Sequence, residues 1–133
     1  MLRFSQPARV LLIEDDPDCH MMVDRWLEDD GRTVLHAYNG LAARALLQHA
    51  RDLDIVLASS ELKDVNALQV AQIAKAARPA AQVLIMVSVT DEKFEEARRE
   101  FKVQYIQKPF TREELHQKVE ELLVKKNKEE AAQ

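Results

Sequence analysis

Glu14, Asp15 and Asp16 follow directly on the apolar run Val10, Leu11, Leu12 and Ile13, so three acids stand at the end of a segment that carries no charge. Further on, the apolar runs Ile55–Ala58 and Val83–Val87 end in hydroxyl residues, Ser59 and Ser88. The mixed segment Val103–Gln107 ends in a cation, Lys108. Acids, hydroxyls and a lysine placed at the ends of such segments are more apt to face a crevice than to decorate a surface. For this to be one site, the ends of four separate segments must meet.

The segments themselves predict that meeting. A four-residue apolar run with a β-branched residue at each end reads as a strand buried on both faces, as a parallel sheet requires. In open α/β sheets the crevice lies beyond the carboxyl ends of the strands, where these acids fall. Asp16 followed by Pro17 is also a good helix start, with Asp16 as N-cap and Pro17 at the first helical position. That role accounts for one acid of the three.

In chain order, strand and helix signals alternate. Pro17–Asp30 places Met22 with Trp26 and Val23 with Leu27 on a helical stripe that Gly31 closes. Thr33–Tyr38 mixes polar and apolar residues, as a less buried strand does, and runs into an Asn39-Gly40 turn. Leu41–His49 predicts a helix with Ala42, Ala45 and Leu46 inward. Val65–Ala77 predicts another, with Leu68 and Ala71 beside a stripe through Val70, Ile73, Ala74 and Ala77. The charged stretch Asp91–Glu100 has Phe94, Ala97 and Phe101 as its apolar anchors and reads as the least packed helix. Thr111 with Glu114 forms a capping-box signature ahead of Leu115, Val119, Leu122 and Leu123. Lys125–Gln133 reads as a charged tail that frays or begins a linker, which puts the domain at 7–124 and the tail at 125–133.

Five strands alternating with five helices make an α/β doubly wound domain. The three fully apolar strands should be central and the mixed second and fifth strands should be edges. With right-handed crossovers the order 2-1-3-4-5 satisfies this, and it brings Glu14, Asp15, Asp16, Ser59, Ser88 and Lys108 to one rim.

Composition narrows the function. The 133 residues carry 19 Lys+Arg against 23 Asp+Glu, a formal charge of -4 with no basic bias toward nucleic acid. The one cysteine, Cys19, cannot form an internal disulfide and reads as a small buried hydrophobe. No stretch approaches the ~20 apolar residues of a bilayer span, and Met1–Gln6 lacks the apolar core of a signal peptide, so a cytoplasmic location is expected.

These residues in this order resemble the receiver domain of two-component response regulators, over Arg9 to about Val124. The resemblance implies the flavodoxin-like (βα)5 fold. It places Glu14 and Asp15 where the family keeps its Mg²⁺-holding acidic pair, Ser88 at the phosphoryl-contacting hydroxyl, Lys108-Pro109 at the family's Lys-Pro, and Tyr105 at the aromatic switch. It further implies protein partners, such as a histidine kinase or an output domain, and a face of the fourth helix, fifth strand and fifth helix for contact.

The departure lies at the centre. The family's third strand ends in a phosphate-accepting aspartate, and here Ser59 holds that position. Asp54 is at the other end of the strand and Glu61 is two residues into the loop. Lys63 and Asp64 stand where a Pro-Gly pair is usual, and Ala67 where a glycine is usual. Such joint drift suggests natural degeneration more than a single engineered change.

A carboxylate is ionised at pH 7, whereas a serine needs a base, and His20, His36, His49 and His116 all read as packing or surface. Mg²⁺ loses a hard ligand, so its binding is expected to be weakened. For Lys108 two readings stand: a salt bridge to Asp15 in a retired pocket, or the retained phosphoryl-contact role. The leading expectation is thus a non-enzymatic receiver acting by protein contact. The alternatives are a receiver phosphorylated at Ser59 or another side chain, and a small-molecule binder on the same scaffold, though no glycine-rich phosphate loop follows any strand.

Overall fold

The computed structural model describes residues 6–88 and 92–132. Five strands and five helices alternate: β1 (Arg9–Ile13), α1 (Pro17–Asp29), β2 (Thr33–Ala37), α2 (Gly40–His49), β3 (Ile55–Ser59), α3 (Ala67–Ala77), β4 (Gln82–Val87), α4 (Glu92–Glu100), β5 (Gln104–Gln107) and α5 (Arg112–Ala131). The strands form one parallel sheet in the order β2-β1-β3-β4-β5, with the mixed strands at the edges as their composition requires.

Alternation along the three apolar strands divides the core into two layers. Leu11, Ile13, Val56, Ala58, Val83, Ile85 and Val87 face α2, α3 and the anchors Phe94 and Phe101. Val10, Leu12, Ile55, Leu57, Leu84 and Met86 face α1 and α5 through Val23, Leu27, Leu115, Val119 and Leu122. Every residue of β3 and β4 is buried, the signature of strands covered on both sides.

Helix faces depart from the expected stripes in two places. In α1 the buried residues are His20, Val23 and Leu27, while Met22 is exposed and Trp26 half-buried against the edge of Phe110. A 13-residue helix on a sheet buries one i, i+3, i+7 stripe, and His20 takes the place that Met22 was expected to share. In α2 the buried residues are Gly40, Ala43 and Leu47, with Ala45 exposed. The cause is Gly40, which opens the helix instead of ending a turn. A β-carbon there would lie 2.1 Å from Val65 Cγ2, so the close approach sets the rotation of the whole helix. Asn39 caps it, accepting from Ala42 N at 2.7 Å.

In α3 the capping box comes from Asn66 and Gln69. At α5, Thr111 Oγ1 accepts from Glu114 N at 3.1 Å. No described residue of α4 is buried, as its charge pattern predicts, and the expected start at Asp91 lies outside the described residues.

The tail is the third departure. The boundary drawn after Val124 falls inside α5, which continues to Ala131. Lys126 lies 3.2 Å from Asp54 at the foot of β3, and Gln82 donates to Glu129 at 2.9 Å, so this last stretch is anchored to the amino ends of the strands.

The central place of β3 yields a direct test. Leu57 is wholly buried, whereas Leu41 is 75% exposed on α2. Leu57→Ala is expected to lose about 2–5 kcal/mol in denaturant melts, and Leu41→Ala to stay within about 0.5 kcal/mol of the parent.

Candidate functional site

At the carboxyl end of the sheet, β1 hands over to Glu14, which is 1% exposed, then to half-buried Asp15 and exposed Asp16. Asp16 is spent on the helix start, accepting from Asp18 N at 3.0 Å and Cys19 N at 3.4 Å. Ser59 ends β3 and is fully buried. Lys108 follows β5 directly, its backbone nitrogen donating to the Val87 carbonyl at 2.7 Å, which ties the β5 end to the β4 end.

The lysine then reaches inward. Its Nζ lies 2.8 Å from Glu14 Oε1 and 3.4 Å from Ser59 Oγ. The expected pairing of Lys108 with Asp15 is therefore corrected: the partner is Glu14. The reason is that Asp15 turns toward the loop after β3, where its Oδ2 accepts from Lys63 N at 3.2 Å.

Burial pushes the Glu14 carboxyl up. Hydrogen bonds from Cys19 and Lys108, together with the Lys108 charge, outweigh it and hold the group below the usual carboxylate range. For Lys108 burial acts downward, and the hydrogen bond and charge of Glu14 hold it above its ordinary value. Cys19 is pushed up to about 12, by burial first and then by its hydrogen bond to Glu14, so it carries no thiolate at neutral pH.

The other sequence-predicted residues are less closely joined. Ser88 stands exposed just past β4, and no hydrogen bond among the described residues ties it to Glu14, Ser59 or Lys108. Tyr105 lies on β5 outside the cluster, edge-on to Phe94 at 5.8 Å, with the Arg98 guanidinium 4.9 Å from its ring centre. Arg98 is held in turn by Glu95 at 2.7 Å.

Two residues that read in the sequence as packing or surface support the site. His20 is buried, and its Nδ1 lies 2.9 Å from the Glu14 carbonyl oxygen. Its spacing to Val23 and Leu27 was the available signal. Cys19, read only as packing, also bonds the Glu14 side chain.

The chemistry of this set is limited by what surrounds Ser59 Oγ. Its partners are Lys108 Nζ and the backbone nitrogen of Glu61 at 3.1 Å, both donors. Among the described hydrogen bonds no base accepts the serine proton, as activation of a serine nucleophile requires. The residues also fit Mg²⁺ poorly. Glu14 is engaged by a cation, Asp15 bonds a loop amide, and the third strand supplies a neutral hydroxyl to an ion that favours several hard oxygens in octahedral geometry.

The family profile of the response regulator receiver domain matches residues 10–120, and the chain belongs to that family. Similar solved structures include a CheY-like receiver domain protein from Methanospirillum hungatei JF-1, with 21% identity, TM-score 0.88, and coverage of 93% of this chain and 99% of that one. The chemotaxis protein CheY4 of Vibrio cholerae has 21% identity and TM-score 0.82, with 89% and 100% covered. The signal receiver domain of an HD domain-containing protein from Pseudomonas fluorescens Pf-5 has 18% identity and TM-score 0.84, with 92% and 99% covered. No curated protein matches the sequence. The chain is thus a receiver domain of two-component signalling with the flavodoxin-like, CheY-like fold. Receiver domains are in general signalling modules, not enzymes, and among the described residues no helix is long and apolar enough to cross a membrane.

The Glu14–Lys108 pair sets a pH dependence. Glu14 is lowered in the folded state, so its contribution is present above its ordinary value near 4.5 and is lost as pH falls through the lowered one. Lys108 is raised, so its contribution holds below 10.5 and is lost only in strong alkali. Lys108→Met leaves a buried carboxylate without its cation. Melts at pH 7 should show a loss on the order of 3 kcal/mol, shrinking below pH 4 as Glu14 protonates in both proteins. An equal loss at both pH values would mean that the lysine acts through packing alone.

Proposed function

We propose that this receiver domain takes no part in ordinary aspartyl phosphorelay and signals by protein contact. The observation that carries the reading is the Lys108 ammonium seated between Glu14 and a wholly buried Ser59. In the family's arrangement that position holds the phosphate acceptor. Here it is a neutral hydroxyl whose neighbours donate to it, and the lysine is already neutralised within the protein. Glu14 and Asp15 hold Mg²⁺ weakly at most, and Ser88 and Lys108 keep the positions of phosphoryl-contact residues with no acyl phosphate to contact.

The contact face is α4, β5 and α5. A groove there is lined by Arg98, Gln104, Tyr105, Gln107, Lys118 and Glu121, polar and carrying both charges, which suits a protein surface better than a small apolar ligand. Tyr105 sits in it as the switch residue, held by Phe94 and Arg98. The partner is a cytoplasmic signalling protein, a kinase or an output domain.

The unmodified protein, incubated with acetyl phosphate and Mg²⁺, is expected to show no phosphate adduct by intact mass spectrometry. Ser59→Asp is expected to gain one, because Lys108 and Glu14 then flank an ionised nucleophile. It is also expected to bind Mg²⁺ more tightly than the parent. A stoichiometric, base-labile phosphate on the unmodified chain would place the acceptor on another carboxylate and overturn the reading.

A further inference from the structure

Away from the crevice, Asp24 and Glu28 stand one turn apart on α1 and face His36 on the edge strand β2. One ligand atom from each lies within 4.8 Å of the other two. The tautomers follow from a chain of bonds. The Glu14 carbonyl oxygen can only accept, so His20 Nδ1, 2.9 Å away, carries the proton. In the neutral ring Nε2 is then an acceptor. It lies 2.9 Å from His36 Nδ1, which therefore donates. His36, when neutral, thus presents a bare electron pair at Nε2, and that atom points at Asp24.

The facing atom has no other partner. Asp24 Oδ1 is fully buried and makes no hydrogen bond within the described structure. It sits 3.8 Å from His36 Nε2, too far for a hydrogen bond and an unfavourable approach for two acceptors with nothing between them. The separation is a few tenths of an ångström beyond the ~3.3 Å edge of a tetrahedron built on metal–ligand bonds of about 2.0–2.1 Å. Glu28 adds a second carboxylate, one turn of α1 beyond Asp24. All three groups are electron-pair donors crowded around one point.

We propose that Asp24, Glu28 and His36 form a binding site for a divalent transition-metal ion of the Zn²⁺ class. Two carboxylates balance its charge, and the imidazole selects it over Mg²⁺ and Ca²⁺, which favour all-oxygen sets. The His20 contact is the arrangement a metal-bound histidine requires: the far ring nitrogen donates to a fixed acceptor, which holds the tautomer and aims the other nitrogen at the ion. Stacking of Tyr38 on His20, with ring centres 4.2 Å apart, limits the movement of that acceptor. The site is distinct from the Lys108 crevice and does not depend on whether that crevice accepts phosphate.

Calorimetric titration of the full chain with ZnCl2 is expected to give one equivalent of binding, accompanied by a rise in melting temperature. His36→Asn and Asp24→Asn should each weaken the affinity at least tenfold. His116→Asn, which removes the histidine beside Asp30 on the neighbouring surface, should leave it unchanged. In ¹⁵N imidazole spectra of the unmodified protein, Zn²⁺ should shift His36 Nε2 and leave His49 and His116 in place, a readout that needs no variant to fold. Absence of saturable Zn²⁺ binding up to millimolar concentration, an affinity unaltered by His36→Asn, or a shift confined to the other histidines would overturn the proposal.

Discussion

The bond between Lys108 and Glu14 joins the two ends of the sheet that matter most. β1 and β5 are three strand steps apart, roughly 14 Å at ~4.8 Å per step, and only long side chains rising from converging strand ends can meet across that span. The carboxylate is almost wholly removed from water, and hydrogen bonds from Cys19 and Lys108 together with the Lys108 charge offset that burial. The ammonium is held in place because its own backbone nitrogen is bonded to Val87. Removing any of these supports returns a desolvation cost to a buried charge. The order of the strands, the ending of β5 and the burial of Glu14 are therefore a single constraint.

Serine at position 59 makes that constraint self-contained. Glu14 and Lys108 cancel, Asp15 is drawn to the Lys63 amide, and the hydroxyl supplies a neutral acceptor without adding charge. A carboxylate in its place would leave a buried negative charge in excess, the condition under which a divalent cation or a phosphoryl group finds its complement. The neighbouring loop has its own attachments. Asp64 accepts from Gly40 N at 2.9 Å and Leu41 N at 3.0 Å, so the loop after β3 caps the amino end of α2, and Val65 fills the space that Gly40 leaves open. Asp64 and Val65, in the loop after β3, thus serve the packing of the domain.

What the sequence made legible was whatever depends on one element at a time. Three apolar runs specify buried parallel strands, two mixed runs specify edges, and strand ends carrying Glu14, Ser59 and Lys108 must then converge. The partner of Lys108 was not legible, because Glu14 and Asp15 are adjacent and differ only in which loop competes for them. The backbone amide of Lys63 decided it, and amides leave no trace in side-chain patterns. The rotation of α2 was hidden for a similar reason, since it depends on the missing β-carbon of Gly40 meeting Val65 from a distant helix start. The extension of α5 depends on Lys126 and Glu129 finding Asp54 and Gln82. A run of charges gives no indication of such partners.

These contacts are unevenly distributed, and the unevenness bears on how the domain can signal. The α1 and α5 side is cross-linked by Arg32 to Glu120, by Arg112 and His116 to Asp30, and by Lys126 to Asp54, over a continuous apolar layer. On the opposite side α4 has no buried residue among those described, and its anchors Phe94 and Phe101 only lean on the core. Local opening free energy follows buried apolar contact, so α4 is the segment displaced at least cost. Tyr105 and Arg98 are packed where α4 meets β5, and β5 ends in Lys108. A partner that binds α4 therefore works against the weakest packing in the domain. The Glu14–Lys108 pair lies behind that face, at the carboxyl end of β5.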